Sequence, residues 1–129
     1  MKTLTIVIPA FNEEKTIVKI LNKVKSAELP ENWDKEIIIT NDCSTDNTEI
    51  AIKEYINENP EMDILYFKHD KNKGKGSALH TSIEHAKGDY IIIQDADLEY
   101  NPEEYSVMLK PVIDGYADVV YGSRFLGGK

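Results

Sequence analysis

The chain has 129 residues, 41% of them hydrophobic and 29% charged, which suits one globular domain and argues against general disorder. A net charge of -8 and a pI of about 4.8 disfavour nucleic acid as a partner and set the average surface against an anionic membrane, although a local basic patch can still dock there. The single cysteine, Cys43, excludes an intrachain disulfide; no apolar run reaches the ~20 residues that span a bilayer, and the start MKTLTIVIPAFNEE is too short in its apolar part for a secretory signal, so a soluble cytoplasmic protein is expected.

The first apolar run, LTIVIPA at residues 4–10, is β-branched and bounded by Pro9, and reads as a buried strand. Asn12 is placed to cap a helix, with Glu13 and Glu14 in its first turn and Ile17, Ile20, Leu21 and Val24 at helical spacing behind them. LPENWD reads as a loop with Trp33 as a packing anchor. EIIIT at 36–40 is a second strand ending in NDCSTDNT. Asp46 and Glu49 are spaced as a capping pair for a helix whose apolar face is Ile52, Tyr55 and Ile56. DILYF at 63–67 is a third strand, followed by the polar, glycine-containing loop KHDKNKGKGS. Leu79, Ser82, Ile83 and Ala86 mark the face of a helix stopped by Gly88. DYIIIQ at 89–94 is a fourth strand. Asn101, Pro102 and Glu104 fit the N-cap, N1 and N3 positions of another helix, with Tyr105, Met108, Leu109, Val112 and Ile113 as its buried stripe and Pro111 kinking or ending it. ADVVYGSRF reads as a last strand leading into a loop.

Alternating strands and helices, with strands rich in Ile and Val, imply an α/β fold with a mostly parallel sheet covered by helices on both faces. Ligands of such sheets bind beyond the carboxyl ends of the strands. That rule selects Pro9 to Glu14, Asn41 to Asp46, Lys71 to Ser77, Asp95 to Glu99 and Gly122 to Arg124 as candidate site segments.

Asp95 and Asp97 lie two apart after the fourth strand and point the same way if the run stays extended. Two neighbouring carboxylates repel unless a cation sits between them, and a hard divalent ion with oxygen ligands fits, with Glu99 able to join or orient the set. With ten aspartates in the chain, about one such pair arises by chance, so its place at the sheet edge carries the argument. Asp42 directly follows the second strand, too far from the next helix to cap it, and can accept hydrogen bonds from a base or ribose. Ser44, Thr45 and Asp46 serve equally well as turn and cap residues. In DKNKGKGSAL, lysines and glycines precede a helix, which is either a solvated loop or a place for a phosphate at a helix N-terminus. Arg124 is the single arginine, and a guanidinium grips phosphate in a bidentate manner that lysine does not match. His69, His80 and His85 lack metal-ligand spacing and are expected at the surface. Cys43 is expected to be a small buried thiol.

Taken in order, IVIPAFNEE, NDCSTDNT, NKGKGSAL, QDADLEYNPEE and ADVVYGSRFLGG resemble family 2 glycosyltransferases of the GT-A fold, and most of all the dolichol-phosphate mannose synthase-like branch of polyprenyl-phosphate sugar transferases. The resemblance implies a Rossmann-like nucleotide-sugar-binding domain over residues 1–129. In it Pro9, Phe11, Glu13, Asp42, Lys75, Asp95 and Ala96 would hold the donor nucleotide. Asp95, Asp97 and Glu99 would hold Mg²⁺ or Mn²⁺, and Ser123 and Arg124 would face the acceptor phosphate. Asp95, Asp97 and Arg124 form the implied catalytic set. Phe11 stands where tyrosine is frequent, and Asn41 where aspartate is. The implied partners are a UDP- or GDP-hexose and a lipid phosphate met at the inner face of the membrane, with inversion at the anomeric carbon. Family members continue past the point that matches Lys129, so a fragment or truncated product lacking part of the acceptor site is expected. Two alternatives stay open: a non-catalytic nucleotide-sugar-binding module, and a family 2 transferase acting on a saccharide acceptor in cell-envelope glycan synthesis. A signalling receiver domain is disfavoured, because the first strand ends in PAFNEE and not in an acid pair. The sequence leaves oligomeric state open.

Overall fold

A computed structural model of the chain describes residues 2–95; the helix expected from Asn101 and the strand expected at 117–125 lie outside them. The described elements alternate as β1 (Lys2–Ala10), α1 (Ile17–Ser26), β2 (Trp33–Asn41), α2 (Thr48–Glu58), β3 (Ile64–Lys68), α3 (Lys75–Glu84) and β4 (Tyr90–Ile93). The four strands form one sheet in the order β3-β2-β1-β4, and every pairing is parallel. Representative partners are Ile6 with Ile37, Ile39 with Tyr66 and Val7 with Ile93.

Strand alternation divides the apolar residues between two faces. Leu4, Ile6, Ile8 and Ala10 join Ile37, Ile39 and Ile92 beneath α1 and α2, which contribute Ile17, Ile20, Leu21, Val24, Ile52 and Tyr55. Val7, Ile38 and Ile93 form the other face, with Leu79 of α3 packed against them. A Thr40–Ser82 hydroxyl bond of 2.6 Å also ties α3 to β2, which explains a serine on the buried side of that helix. Each fully buried Ile or Leu stabilises the fold by roughly 1.5–3 kcal/mol relative to exposure. The chain winds from β1 outward to β3, then returns across the sheet to β4 on the far side of β1. Right-handed crossovers place α1 and α2 on one face and send α3 to the other once the direction reverses. The expected doubly covered α/β sheet is the one observed, and its strand order reverses between β1 and β4.

Several boundaries differ from the sequence reading for identifiable reasons. Asn12 does not cap α1, which begins at Ile17. It sits at φ +53, its main-chain N–H donates to Ser44 Oγ at 3.0 Å and its side-chain oxygen accepts from the Thr45 N–H at 2.8 Å. Tertiary partners in the loop after β2 have taken the groups that a helix cap would use. Asp46 does accept from the Thr48 N–H at 2.9 Å, as a turn residue should, but Glu49 turns away to Lys68 and Tyr66. Trp33 opens β2, pairing with Lys2, and its ring meets Tyr90 at a centroid distance of 5.5 Å. The end of α1 is closed by Lys35, whose ammonium donates to the carbonyls of Val24, Lys25 and Ala27 at 2.7–2.9 Å.

At the amino edge of the sheet, buried Glu36 accepts from Thr5 Oγ1 at 2.6 Å and from the Lys87 N–H at 2.9 Å. Gly88 lies hard against β1: a Cβ there would meet the Thr5 hydroxyl and come within 2.9 Å of the Thr3 carbonyl and the Thr5 nitrogen. The glycine that the sequence suggested as a helix stop is required by close strand approach.

Candidate active site

Loops from four strand ends meet at the carboxyl edge, where the reversal between β1 and β4 opens a crevice. It holds a cavity of about 440 Å³. Six of the residues expected at the site line it: Pro9, Phe11 and Glu13 after β1, Asp42 after β2, Lys75 at the start of α3, and Asp95 after β4. Ala96, Asp97, Glu99, Ser123 and Arg124 lie outside the described residues. Asn72 and Gly74, within the expected Lys71 to Ser77 segment, also line the cavity, as does Ala78 just past it.

The loops after β1 and β2 are knitted together. The Glu13 N–H donates to Thr48 Oγ1 at 2.8 Å, and the Glu14 N–H donates to Asp46 at 3.4 Å. Thr16 Oγ1 donates to the Glu13 carboxylate at 2.8 Å. Ser44, Thr45 and Asp46 therefore serve the loop architecture, the simpler of the two readings offered for them. Phe11, 43% exposed, presents its ring at the cavity rim.

Asp42 is 3% exposed and fully engaged by its own chain on one oxygen. Oδ1 accepts from His69 Nδ1 at 2.7 Å and the Lys73 N–H at 2.8 Å, while Oδ2 accepts from the Gly74 N–H at 2.7 Å. Burial alone raises its pKa, but the His69 bond, the two amides and the His69 charge outweigh it and hold the carboxyl below the usual aspartate value. Lys73 and Gly74, just ahead of α3, thus spend their amides on an internal carboxylate. The expectation of a phosphate at this helix start has to reckon with that occupant. Gly74, at φ +95, supplies the left-handed turn that brings its N–H onto Asp42.

His69 corrects the expectation of a surface histidine. It is 8% exposed and bridges Asp42 to Thr81 of α3, with Nε2 2.9 Å from Thr81 Oγ1. His80 and His85 are exposed, as expected. His69 follows β3 directly, just ahead of the Lys71 to Ser77 segment that the strand-end rule selected, so a segment begun at the strand end would have included it.

Asn41 also finds its reason here. Its amide donates to Tyr66 Oη at 3.0 Å, and that hydroxyl donates to Glu49 at 3.1 Å. Burial first and the Glu49 carboxylate as well, against the opposing Asn41 bond, push the Tyr66 pKa up to about 12. An aspartate at 41 would aim two carboxylates at one phenol, whereas asparagine supplies the missing donor.

Asp95 is 4% exposed. Lys75 Nζ holds its Oδ1, and its Oδ2 is the one buried side-chain polar atom without a hydrogen-bond partner among the described residues. A buried carboxylate oxygen with no donor is costly, and a hard cation is a chemically suitable partner for it. Among the described residues Asp95 alone offers such an oxygen and no group of three or more His, Cys, Asp or Glu side chains could hold a metal ion; Asp97 and Glu99 of the expected set lie outside them.

An open parallel sheet of this order, doubly covered and with its cavity at the strand reversal, defines a Rossmann-like, doubly wound α/β domain. The model of the family described as glycosyl transferase family 2 matches residues 5–129, and the chain belongs to that family. It is similar to the UDP-N-acetylglucosamine–dolichyl-phosphate N-acetylglucosaminyltransferase of Methanococcus voltae, at 32% identity over 99% of this chain and 54% of that protein. It is also similar to the undecaprenyl-phosphate 4-deoxy-4-formamido-L-arabinose transferase of Photorhabdus laumondii, at 35% identity over 96% of this chain and 37% of that one. Among solved structures, a mannosyltransferase from Pyrobaculum calidifontis in complex with GDP-Man and Mn2+ superposes with a TM-score of 0.71 and 26% identity, over 78% of this chain and 29% of that one. These names place the resemblance in the polyprenyl-phosphate branch, as the motifs implied. The chain spans about a third to about half the length of these curated relatives, 37% of one and 54% of the other. No helix among the described residues is long and apolar enough to cross a membrane.

Proposed function

We propose that this chain is the donor-binding part of a metal-dependent, inverting glycosyltransferase that moves a hexose from a UDP- or GDP-sugar to a polyprenyl phosphate. The observation that carries the reading is the meeting of Pro9, Phe11, Glu13, Asp42, Lys75 and Asp95 at one cavity, with an unpartnered oxygen on Asp95. The likeness to polyprenyl-phosphate transferases and to a GDP-Man and Mn2+ complex supports it.

In this reading Pro9, Phe11 and Glu13 wall the nucleoside, Asp42 accepts a hydrogen bond from it, and Ala96 completes that wall. Asp95, Asp97 and Glu99 would hold Mg²⁺ or Mn²⁺, which when bound offsets the charge that builds on the departing nucleoside diphosphate. Lys75, already at Asp95, brings a further positive charge to the same place. Ser123 and Arg124 would position the acceptor phosphate, Arg124 through its planar fork. A phosphate monoester, with a second pKa of about 6, arrives largely ionised at neutral pH, so the chain is asked to position its acceptor and not to deprotonate it. The protein would meet that lipid at the inner face of the membrane.

Calorimetry with UDP and GDP, with and without Mn²⁺, tests the donor half: binding should require the metal and be lost in Asp97→Ala. Equal affinity without metal and in that variant would overturn it. Transfer of labelled sugar to polyprenyl phosphate tests the acceptor half; transfer to a saccharide instead would replace that acceptor.

A further inference from the structure

Asp42 is a cavity-wall residue whose hydrogen-bonding capacity is almost spent. A carboxylate offers about four acceptor positions, two on each oxygen. On Oδ1 both are used, by His69 Nδ1 and the Lys73 N–H; on Oδ2 one is used, by the Gly74 N–H. One position remains. The carboxylate has no proton to give, so His69 Nδ1 carries the hydrogen of their bond, while Nε2 lies 2.9 Å from Thr81 Oγ1. His69 is thereby fixed from both sides, on a strand end and a helix.

Next to Asp42 on the cavity wall stands Asn72, whose side-chain amide lies 3.4 Å from the Asp42 carbonyl oxygen and carries a second N–H. The wall therefore shows a single acceptor beside a donor. Uracil presents the complement, one N3–H flanked by carbonyl oxygens. Guanine presents two donors side by side, N1–H and the 2-amino group, and asks for a carboxylate with both oxygens open. Leaving one of those donors buried without a partner weakens binding by roughly five- to hundredfold.

We propose that His69 is a positioning residue that restricts Asp42 to one outward acceptor and so makes the site select uracil over guanine in the donor nucleotide. This rests on the donor-binding reading above, with Asp42 facing the base. His69 touches no substrate; it acts by occupying Oδ1.

The test is calorimetric titration of the 129-residue chain with UDP and with GDP, each with Mn²⁺, in the wild type, His69→Ala, His69→Asn and Thr81→Val. Wild type should bind UDP about tenfold more tightly than GDP. His69→Ala, which opens Oδ1, should narrow that preference to about threefold or less even as overall affinity drops. His69→Asn, which keeps an N–H donor, should restore it. Thr81→Val, which frees the ring from its second anchor, should narrow it less than His69→Ala does. A loss of stability alone would weaken both nucleotides equally and leave their ratio unchanged, and that result overturns the role of His69. If His69→Ala does not fold, as judged by its circular dichroism melt, the Thr81→Val ratio decides in its place. GDP binding as tightly as UDP to the wild type overturns the selection while leaving the donor site standing. Binding of neither nucleotide overturns both.

Discussion

Glu36 and Asp95 are buried carboxylates of the same sheet, each 4% exposed, one at the amino edge and one at the carboxyl edge. Glu36 is held on Oε1 by two donors from its own chain, the Thr5 hydroxyl and the Lys87 amide, and the Gly88 amide in turn donates to Thr5 at 2.9 Å, so that no buried oxygen of Glu36 lacks a donor. Asp95 has a lysine on one oxygen and, among the described residues, nothing on the other. Burial is the same and the degree of satisfaction differs. The amino edge is finished as a piece of structure, while the carboxyl edge keeps, among the described residues, a buried oxygen without a donor, where the proposed metal would bind. Degree of satisfaction, more than depth, is what separates Glu36 from Asp95.

Substitutions at the two edges should therefore fail in different assays. The largest effect is expected for Glu36→Ala, which strands the Thr5 hydroxyl and the Lys87 amide. It should cost about 3 kcal/mol in urea unfolding and leave the metal-supported nucleotide affinity of the folded fraction intact. A selective loss of nucleotide affinity in this variant would break the comparison. Asp95→Asn should do the reverse: stability within about 1 kcal/mol of wild type, because its Lys75 partner is half exposed, and nucleotide affinity in Mn²⁺ down by about a hundredfold, at the upper end of what metal-site substitutions cost. Strong unfolding without a binding defect would make Asp95 a second Glu36.

Asp42 lies between these extremes, since its carboxylate is mostly spent internally but still borders the cavity. Its folded pKa is depressed, so its contribution is present above the unfolded aspartate value of about 3.9 and is lost as the pH falls through the lower folded value. Asp42→Asn should lower stability at neutral pH by about 2 kcal/mol and flatten the acid limb of a stability–pH profile. Asp46, held low by the Thr48 and Glu14 bonds against burial, would keep part of that limb. An acid limb identical to that of the wild type would sink the assignment. The smallest effect is expected for Cys43→Gly. Cys43 sits at φ +58, where a side chain is strained, and glycine should gain about 0.5–1 kcal/mol in thermal melts after its own entropic cost. A loss of stability would show that its thiol packing outweighs the strain.

Much of this was legible in the sequence. Continuous apolar runs such as EIIIT and DYIIIQ gave the strands, because a strand buried on both faces has to be apolar throughout, and their alternation with segments of helical spacing gave the doubly covered sheet. The carboxyl-edge rule selected the segments that hold Pro9, Phe11, Glu13, Asp42, Lys75 and Asp95, the family resemblance named these residues within them, and all six line one cavity. What escaped were features set by long-range hydrogen bonds. Asn12 has the composition of a cap, but Ser44 and Thr45 claim it. His69 has only its strand-end position to mark it; its burial arises because the loop after β2, the end of β3 and α3 converge on it. Gly88 looks like a helix stop and is in fact where a strand passes too close for a side chain.

The parallel pairings also set an order of assembly. Thr5 and Glu36, joined between β1 and β2, are 31 residues apart, whereas the Thr3–Asp89 bond that starts the β1–β4 pairing closes 86. Closing the longer loop costs about 0.9 kcal/mol more in chain entropy, so the β1–α1–β2 unit with Asp42 is expected to dock before β4 delivers Asp95. In pulse-labelled hydrogen exchange the Gln94 amide, bonded to Val7, should gain protection after the Asp42 amide, bonded to Ala10. Simultaneous protection would mean a single concerted closure. If the order holds, a chain still emerging from the ribosome carries the Asp42 wall of its cavity before it carries Asp95, and the proposed donor site is complete on its described side only when β1 acquires β4 as a neighbour.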